Sequence, residues 1–132
     1  TDGGGEAGGQ RQLAARGVRL ALATGFPAPI RDAIAGRVPW QDCLSSFLSG
    51  DDVAHGRPAP DLVWEAMRRV GVSDPGNVAV VGDTPADVAC GRAARAGLVI
   101  AVTNGACPRP LLEAAAPDLL LPSVAELPGV LL

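Results

Sequence analysis

A strand that runs directly into a helix, with one acidic residue after the strand and one inside the helix, constrains this chain most strongly. Residues 78–81 form the apolar run VAVV, and TPADVACGRAARAG at residues 84–97 has the composition of a helix. A short uninterrupted apolar run is typical of a strand covered on both faces. We therefore expect Asp83 at the strand tip and Asp87 in the first helical turn, where both carboxylates can face one pocket.

These two carboxylates predict a cation site. Neighbouring carboxylates repel each other unless one is protonated or a cation lies between or beside them. Oxygen ligands of this type suit magnesium, so we predict that Asp83 and Asp87 hold Mg²⁺. A second interpretation stays open for Asp87, because Thr84 as an N-cap with an acid three residues later resembles a capping box. Capping leaves Asp83 without a role and is compatible with metal binding.

Apolar strands alternate with helical patterns along the rest of the chain. This alternation predicts an α/β fold in three layers, a Rossmann-like parallel sheet between two layers of helices. Ligands of such folds bind at the carboxyl ends of the strands. The predicted strands are residues 18–24, part of 45–53, 78–81, 98–102 and part of 119–123. The predicted helices are residues 10–16, 29–34, a shorter segment around 40–44, 61–70 with Pro60 in its first turn, 84–97 and 110–116.

Two further polar positions lie next to predicted element ends. Thr24 and Gly25 follow the first strand, where a hydroxyl and free backbone N–H groups can bind phosphate oxygens, although an ordinary strand-to-turn junction has the same residues. Arg57 precedes the helix of residues 61–70 and offers a fork of donors to an anion. An alternative for Arg57 is a solvated loop residue paired with Asp51 or Asp52. We assign no role to the nearby histidine.

Composition narrows the class of protein further. The 132 residues fit one domain, and a net charge of -3 favours neither nucleic acid nor an anionic membrane surface as a partner. The three cysteines are widely spaced, which argues against a disulfide framework and fits a reducing cytoplasm. No apolar run is long enough to span a bilayer. We expect residues 1–9 to be a flexible Gly-rich arm or a truncated linker, and residues 10–132 to be the folded domain.

Three segments carry a family resemblance. ALATG (residues 21–25), GRPAPD (56–61) and VVGDTPADVACGRAARAG (80–97) resemble, in this order, the second, third and fourth motifs of the haloacid dehalogenase superfamily. Within the superfamily the chain is most similar to the phosphonatase-like hydrolases. Residues 10–132 would then be the C-terminal part of the core domain of such a hydrolase.

The resemblance implies a role for each matching residue. Thr24 and the backbone of Gly25 would bind the transferred phosphoryl group, and Arg57 would stabilise its charge. Asp83 would ligate Mg²⁺, with Asp87 supporting the metal directly or through water.

The family's first motif has no counterpart in the chain. It is an Asp-x-Asp on the central strand, where the first acid attacks phosphorus. Asp2 is followed by glycines and has no apolar strand before it, so we do not assign it as nucleophile, and the nucleophile is unknown. We therefore expect a core that lacks the first, central strand and the cap. The flanking strands would expose unpaired backbone groups, which predicts self-association or a partner strand that fills the gap.

The expected activity is Mg²⁺-dependent hydrolysis of a small phosphorylated metabolite through an aspartyl-phosphate intermediate. A catalytically inert phosphate-binding or protein-interaction module is the alternative. Carbon–phosphorus cleavage of phosphonoacetaldehyde ranks lower, because that reaction needs a Schiff-base lysine in the family's cap and this chain contains no lysine. A receiver domain is disfavoured, because its acidic pair belongs near the chain start and it relies on a late lysine.

Overall fold

Strands and helices alternate along the chain. The computed structural model describes residues 12–23, 28–35, 44–105 and 107–131. The strands are β1 (Leu20–Ala23), β2 (Leu44–Leu48), β3 (Ala79–Gly82), β4 (Leu98–Val102) and β5 (Leu119–Leu121). The helices are α1 (Ala28–Ala35), α2 (Asp61–Val70), α3 (Pro85–Ala93), α4 (Arg109–Ala114) and α5 (Leu127–Leu131), and a short helical turn at 12–15 precedes β1. No helix within these ranges has the length and apolar character needed to cross a membrane.

The described strands form two parallel hydrogen-bonded groups. β1 pairs with β2, with Leu22 opposite Phe47, and β3, β4 and β5 pair in that order, with Val81 opposite Ile100. The parallel α/β fold predicted from the sequence is therefore confirmed. In the described part of the chain no strand pairs with both β1 and β3, so the described strands form two separate groups, as expected for the core without a central strand that the family resemblance predicted.

Helices cover both faces of the β3–β4–β5 group. On one face Val99 and Ala101 pack with Val88 of α3 and Leu112 of α4. On the other face Ile100 packs against the helical turn at 12–15 and against α5. Successive side chains of a strand point to opposite faces, so β4 contributes to both layers. This arrangement gives the three layers that the alternating pattern predicted.

Helix α2 has the bounds that its sequence predicts. Leu62 and Met67 are buried on one side of it, as expected for an apolar stripe at helical spacing. The helix ends where Gly71 adopts a φ of 79°, the left-handed conformation that favours glycine at this position. Pro60 lies directly before the first helical residue rather than inside the first turn.

Other elements are shorter than their patterns suggest. The first strand begins at Leu20, and the helix predicted over 84–97 ends at Ala93. Arg95 has a φ of 62°, so the backbone has left the helical conformation before Gly97. Residues 1–9, Thr24, Gly25 and most of the segment predicted around 40–44 lie outside the described residues.

Two adjacent leucines of α4 test the packing directly. Leu112 is 0% exposed and Leu111 is 55% exposed. Leu112→Ala should lower the free energy of unfolding by about 2–5 kcal/mol, because it removes buried methyl groups and leaves a cavity. Leu111→Ala on the same helix should change it by less than about 0.5 kcal/mol. Urea unfolding of both variants measures the difference, and equal losses would contradict the assigned orientation of α4.

Candidate active site at the carboxyl ends of β1 and β3

Arg57 connects the ends of the two strand groups. Its Nη2 donates a hydrogen bond to the carbonyl oxygen of Ala23, the last residue of β1, over 3.1 Å. Its Nε lies 2.8 Å from Oδ1 of Asp87, in the first turn of α3. Because α3 follows β3 directly, β1 and β3 end on the same side of the molecule. Arg57 and Asp87, two of the predicted site residues, are therefore in direct contact.

Asp87 also organises the turn between β3 and α3. Its Oδ2 accepts hydrogen bonds from the backbone N–H of Asp83 at 3.0 Å, from the backbone N–H of Thr84 at 3.1 Å and from the Thr84 hydroxyl at 2.9 Å. Thr84 is the N-cap of α3, and the reciprocal bonds of a capping box are present. The side chain of Asp87 is only 14% exposed. Both of its oxygens are thus engaged by the protein itself.

The carboxylate of Asp83 has a different environment. Asp83 is exposed, and no described residue donates a hydrogen bond to its side chain. The carboxylate lies against Gly105, where an added Cβ would overlap the Asp83 side chain. Gly105 belongs to the loop after β4, so a third strand end contributes to the site. Asp83 is the carboxylate of this turn that can bind a cation without first losing a partner.

These residues fit a magnesium site in which the protein supplies only one or two side-chain ligands. Mg²⁺ usually keeps several waters and takes one or two carboxylates together with substrate phosphate oxygens. The Asp83 carboxylate can bind the ion directly. Asp87 can support the ion through a bound water. The described residues contain no group of three or more His, Cys, Asp or Glu side chains arranged to hold a metal. Water and substrate would supply the other ligands.

Thr24 and Gly25 lie outside the described residues. They follow Ala23, the last residue of β1, whose carbonyl oxygen accepts a hydrogen bond from Arg57. The predicted roles of Thr24 and Gly25 in phosphate binding stay predictions. The predicted assignment of Asp83 and Asp87 to a metal likewise stays a prediction.

The alternative pairing of Arg57 with Asp51 or Asp52 is wrong. Asp52 lies 3.4 Å from Arg69, and Asp51 accepts a hydrogen bond from the backbone N–H of Ala28. Arg57 pairs with Asp87 instead because the proline-rich loop carries it to the carboxyl ends of the strands. The histidine of this loop, His55, lies 3.4 Å from Asp61 and outside the Arg57 and Asp87 contacts.

Sequence reasoning did not identify two glycines of the site. An added Cβ at Gly82 would overlap the side chain of Asp87, and Gly105 has the same relation to Asp83. The signal was present in both cases, since each glycine stands at or just after the end of an apolar strand. Close approach of backbone to a functional side chain is a common reason for glycine at such places.

The thiol of Cys90, in α3, is unsuited to nucleophilic attack. Burial raises the pKa of Cys90, and the opposing effect of Arg57 is smaller. The thiolate is the reactive form of cysteine, so a raised pKa keeps Cys90 in its unreactive form near neutral pH.

Residues 10–95 match the family of haloacid dehalogenase-like hydrolases. The match covers more than half of the chain, and the chain belongs to this family. Arg57 and the acidic turn after β3 lie within the matched region. The predicted family is confirmed, and the chain is a member of a family of hydrolases.

Two proteins with similar sequences are also named as a phosphatase or a hydrolase. The chain is 35% identical over 85 residues to a bifunctional riboflavin kinase/FMN phosphatase of Arabidopsis thaliana, covering 64% of this chain and 22% of that protein. It is 28% identical over 142 aligned positions to phosphonoacetaldehyde hydrolase of Bordetella pertussis, covering 90% of this chain and 51% of that protein. The crystal structure of CbbY from Rhodobacter sphaeroides in complex with phosphate superposes with a TM-score of 0.74 at 26% identity, covering 89% and 52% of the two chains. The chain thus spans about half or less of the length of these relatives.

Gly82→Ala should disrupt the turn that holds Asp87. The new methyl group would overlap the Asp87 side chain, and forced overpacking costs about 1–3 kcal/mol. Gly56→Ala is the matched control, because nothing lies within 4 Å of a Cβ built there. Urea unfolding should show the loss for Gly82→Ala alone. An unchanged free energy of unfolding for Gly82→Ala would mean that the close contact is not present in solution.

The two aspartates should differ in their effect on stability. Asp87→Ala removes an ion pair and three accepted hydrogen bonds, and should lower the free energy of unfolding by about 1.5–3 kcal/mol. Asp83→Ala removes an exposed side chain and should change it by less than about 0.5 kcal/mol. Thermal or urea unfolding without added metal makes the comparison. A larger loss for Asp83→Ala would show that Asp83 is the structural residue of the pair.

Proposed function

We propose that this chain forms the phosphate- and Mg²⁺-binding part of a phosphohydrolase that acts on a small phosphorylated metabolite through an aspartyl-phosphate intermediate. The attacking aspartate would come from a segment outside these 132 residues. The contact of Arg57 with both Ala23 and Asp87 carries the proposal, because it places a guanidinium group beside the turn that contains Asp83. The carboxylate of Asp83 accepts no hydrogen bond from the described residues. We expect the protein to act in the cytoplasm.

Arg57 would bind and orient the phosphoryl group. A guanidinium has five N–H donors in a fixed fork, and the described contacts to Ala23 and Asp87 use two of them. The remaining donors suit phosphate oxygens. Asp87 would act as a positioning residue that fixes the guanidinium plane and supports the metal through water. Thr24 and the Gly25 backbone would bind the phosphoryl group from the end of β1.

Asp83 would be the carboxylate that holds Mg²⁺. When bound, the metal would offset negative charge on the phosphoryl oxygens. The loop at Gly105 leaves room for the carboxylate, since a side chain there would overlap it. Preorganised charges of this kind act mainly by stabilising the charge that develops in phosphoryl transfer.

The names of the relatives support phosphorus-containing substrates as the class. FMN phosphatase and phosphonoacetaldehyde hydrolase are both named for such compounds, and CbbY was crystallised with phosphate. These names belong to proteins of which this chain spans about half or less. They favour a small phosphorylated metabolite and leave its identity open.

A phosphate-binding module without catalysis is the second candidate. It is favoured by the engagement of both Asp87 oxygens and by the lack of a third metal-ligating side chain beside the pair within the described residues. Such a module would bind inorganic phosphate and leave phosphate esters intact. Cleavage of phosphonoacetaldehyde ranks below both, because a chain without lysine cannot itself form a Schiff base with the substrate.

Hydrolysis of para-nitrophenyl phosphate by the protein made from its complete coding sequence tests the proposal. We expect Mg²⁺-dependent turnover that falls about 100- to 1000-fold in Arg57→Ala, the range seen when one transition-state donor is removed. Asp83→Asn should abolish the Mg²⁺-dependent turnover. Glu113→Gln is the control, because Glu113 pairs with Arg109 on the exposed surface of α4 and should leave the rate unchanged.

Two results would count against this function. Phosphate binding without any Mg²⁺-dependent hydrolysis would favour the non-catalytic module. Equal rates for Arg57→Ala, Asp83→Asn and Glu113→Gln would place the hydrolytic chemistry elsewhere.

A further inference from the structure

The chain contains two asparagines, which differ in the residue that follows each of them. Asn77 precedes Val78, and Asn104 precedes Gly105. Both asparagines are exposed. Asparagine is one of the thermolabile residues of proteins. It loses ammonia when the backbone nitrogen of the next residue attacks its side-chain carbon, so the next residue decides how readily the reaction occurs.

Gly105 leaves its backbone nitrogen open to such an attack. The residue has no side chain, and within the described part of the chain its N–H donates no hydrogen bond. Residues 103–105 follow β4 and lie outside any helix or strand. Glycine also gives the backbone the widest choice of conformations. The Gly105 nitrogen is therefore available to the side chain of Asn104.

Asn77 has the opposite surroundings. The backbone N–H of Val78 donates a hydrogen bond to the carbonyl oxygen of Pro75 over 3.0 Å, at the end of the helical turn of residues 75–77. The Val78 side chain branches at Cβ, which crowds the backbone nitrogen and restricts rotation. Attack at Asn77 would need this hydrogen bond to break. We therefore expect Asn77 to persist where Asn104 reacts.

We propose that Asn104 is a site of spontaneous deamidation in the folded chain. Hydroxide removes the proton of the Gly105 N–H, and the nitrogen attacks Cγ of Asn104. The Cγ–Nδ2 bond breaks, Nδ2 leaves as ammonia by taking a proton from water, which regenerates hydroxide, and a succinimide ring remains. Addition of water then breaks one of the two ring C–N bonds and gives an aspartyl or an isoaspartyl residue. Either product carries a carboxylate where the chain had a neutral carboxamide.

The new charge lies on the loop that contacts Asp83. Gly105 is so close to Asp83 that a Cβ added to the glycine would be 2.4 Å from Oδ2 of the aspartate. A carboxylate about 6–8 Å from a divalent cation strengthens binding of that cation about five- to tenfold in water at low ionic strength. This effect rests on the proposed function, since it requires Mg²⁺ at Asp83, whereas the modification itself does not.

Mass spectrometry of the incubated, folded chain tests the modification. Cleavage after arginine places Asn77 in the peptide 70–92 and Asn104 in a peptide that begins at residue 96, and neither peptide contains another asparagine or a glutamine. In mildly alkaline buffer the Asn104 peptide should gain the small mass difference between a carboxyl group and a carboxamide. The gain should be at least about 20-fold faster than in the Asn77 peptide.

The unfolded chain and one variant are the controls. In urea Asn104 should convert as well, which shows that the reaction is detected. Asn104→Gln should gain no mass, because attack on glutamine would need a larger ring. Conversion of Asn104 in urea but not in the folded chain would overturn the proposal, since the fold would then protect this loop. Equal rates at Asn77 and Asn104 in the folded chain would also overturn it.

Binding of Mg²⁺ tests the effect on the site. An NMR titration with Mg²⁺ alone should give a Kd about five- to tenfold lower for Asn104→Asp than for Asn104→Gln at low ionic strength. The incubated chain should approach the Kd of Asn104→Asp as its modified fraction grows. Equal Kd values for the two variants would overturn the effect on the site. Failure of every chain to bind Mg²⁺ would instead contradict the proposed function, and the mass measurement would still decide whether Asn104 is modified.

Discussion

The carboxylate of Asp87 is the interaction on which the geometry of the site depends. One oxygen pairs with Arg57, and the other accepts three hydrogen bonds from Asp83 and Thr84. This single side chain therefore fixes the exit of β3, the start of α3 and the loop that contains Arg57. It can approach so closely because Gly82 has no side chain. The same contacts leave Asp83 with an exposed carboxylate, so structural and ligand-binding roles are divided between the two acids.

The two strand groups are held together without a hydrogen-bonded ladder between them. Arg57 joins the end of β1 to the start of α3, and Arg19, just before β1, donates a hydrogen bond to the carbonyl oxygen of Val70 at the end of α2. Leu20 also packs in one apolar cluster with Val81 and its neighbours. These contacts lie around the space between β1 and β3. Arg57 therefore both connects the two strand groups and takes part in the candidate site.

Local patterns predicted most of the fold because the residues that define each element are close in sequence. The apolar stripe of residues 61–70 gave the bounds of α2, and the run LVIAV gave the bounds of β4. The end of α3 was missed, because the left-handed conformation of Arg95 has no strong local signal. The prediction that the sheet has a gap came from the family resemblance, since no local pattern reports which strands are neighbours.

The site was predicted less completely than the fold. The spacing of Asp83 and Asp87 indicated their turn, and it also allowed the capping role that Asp87 has. The partner of Arg57 could not be predicted, because three aspartates were available and only the tertiary fold selects Asp87. Gly105 was missed for a similar reason: its proximity to Asp83 depends on the pairing of β3 with β4.

The proposed function requires that phosphate and a divalent cation bind together at the carboxyl ends of β1 and β3. A titration of the ¹⁵N-labelled chain with Mg²⁺ and inorganic phosphate, followed by two-dimensional NMR, measures this binding. The largest shifts should fall on the amides of Asp83, Thr84 and Gly105 and on the Nε–H of Arg57, and phosphate should shift them further when Mg²⁺ is present. Shifts confined to other surfaces, such as the acidic groove beside Trp64 and Glu65, or no shifts at millimolar ligand, would contradict it.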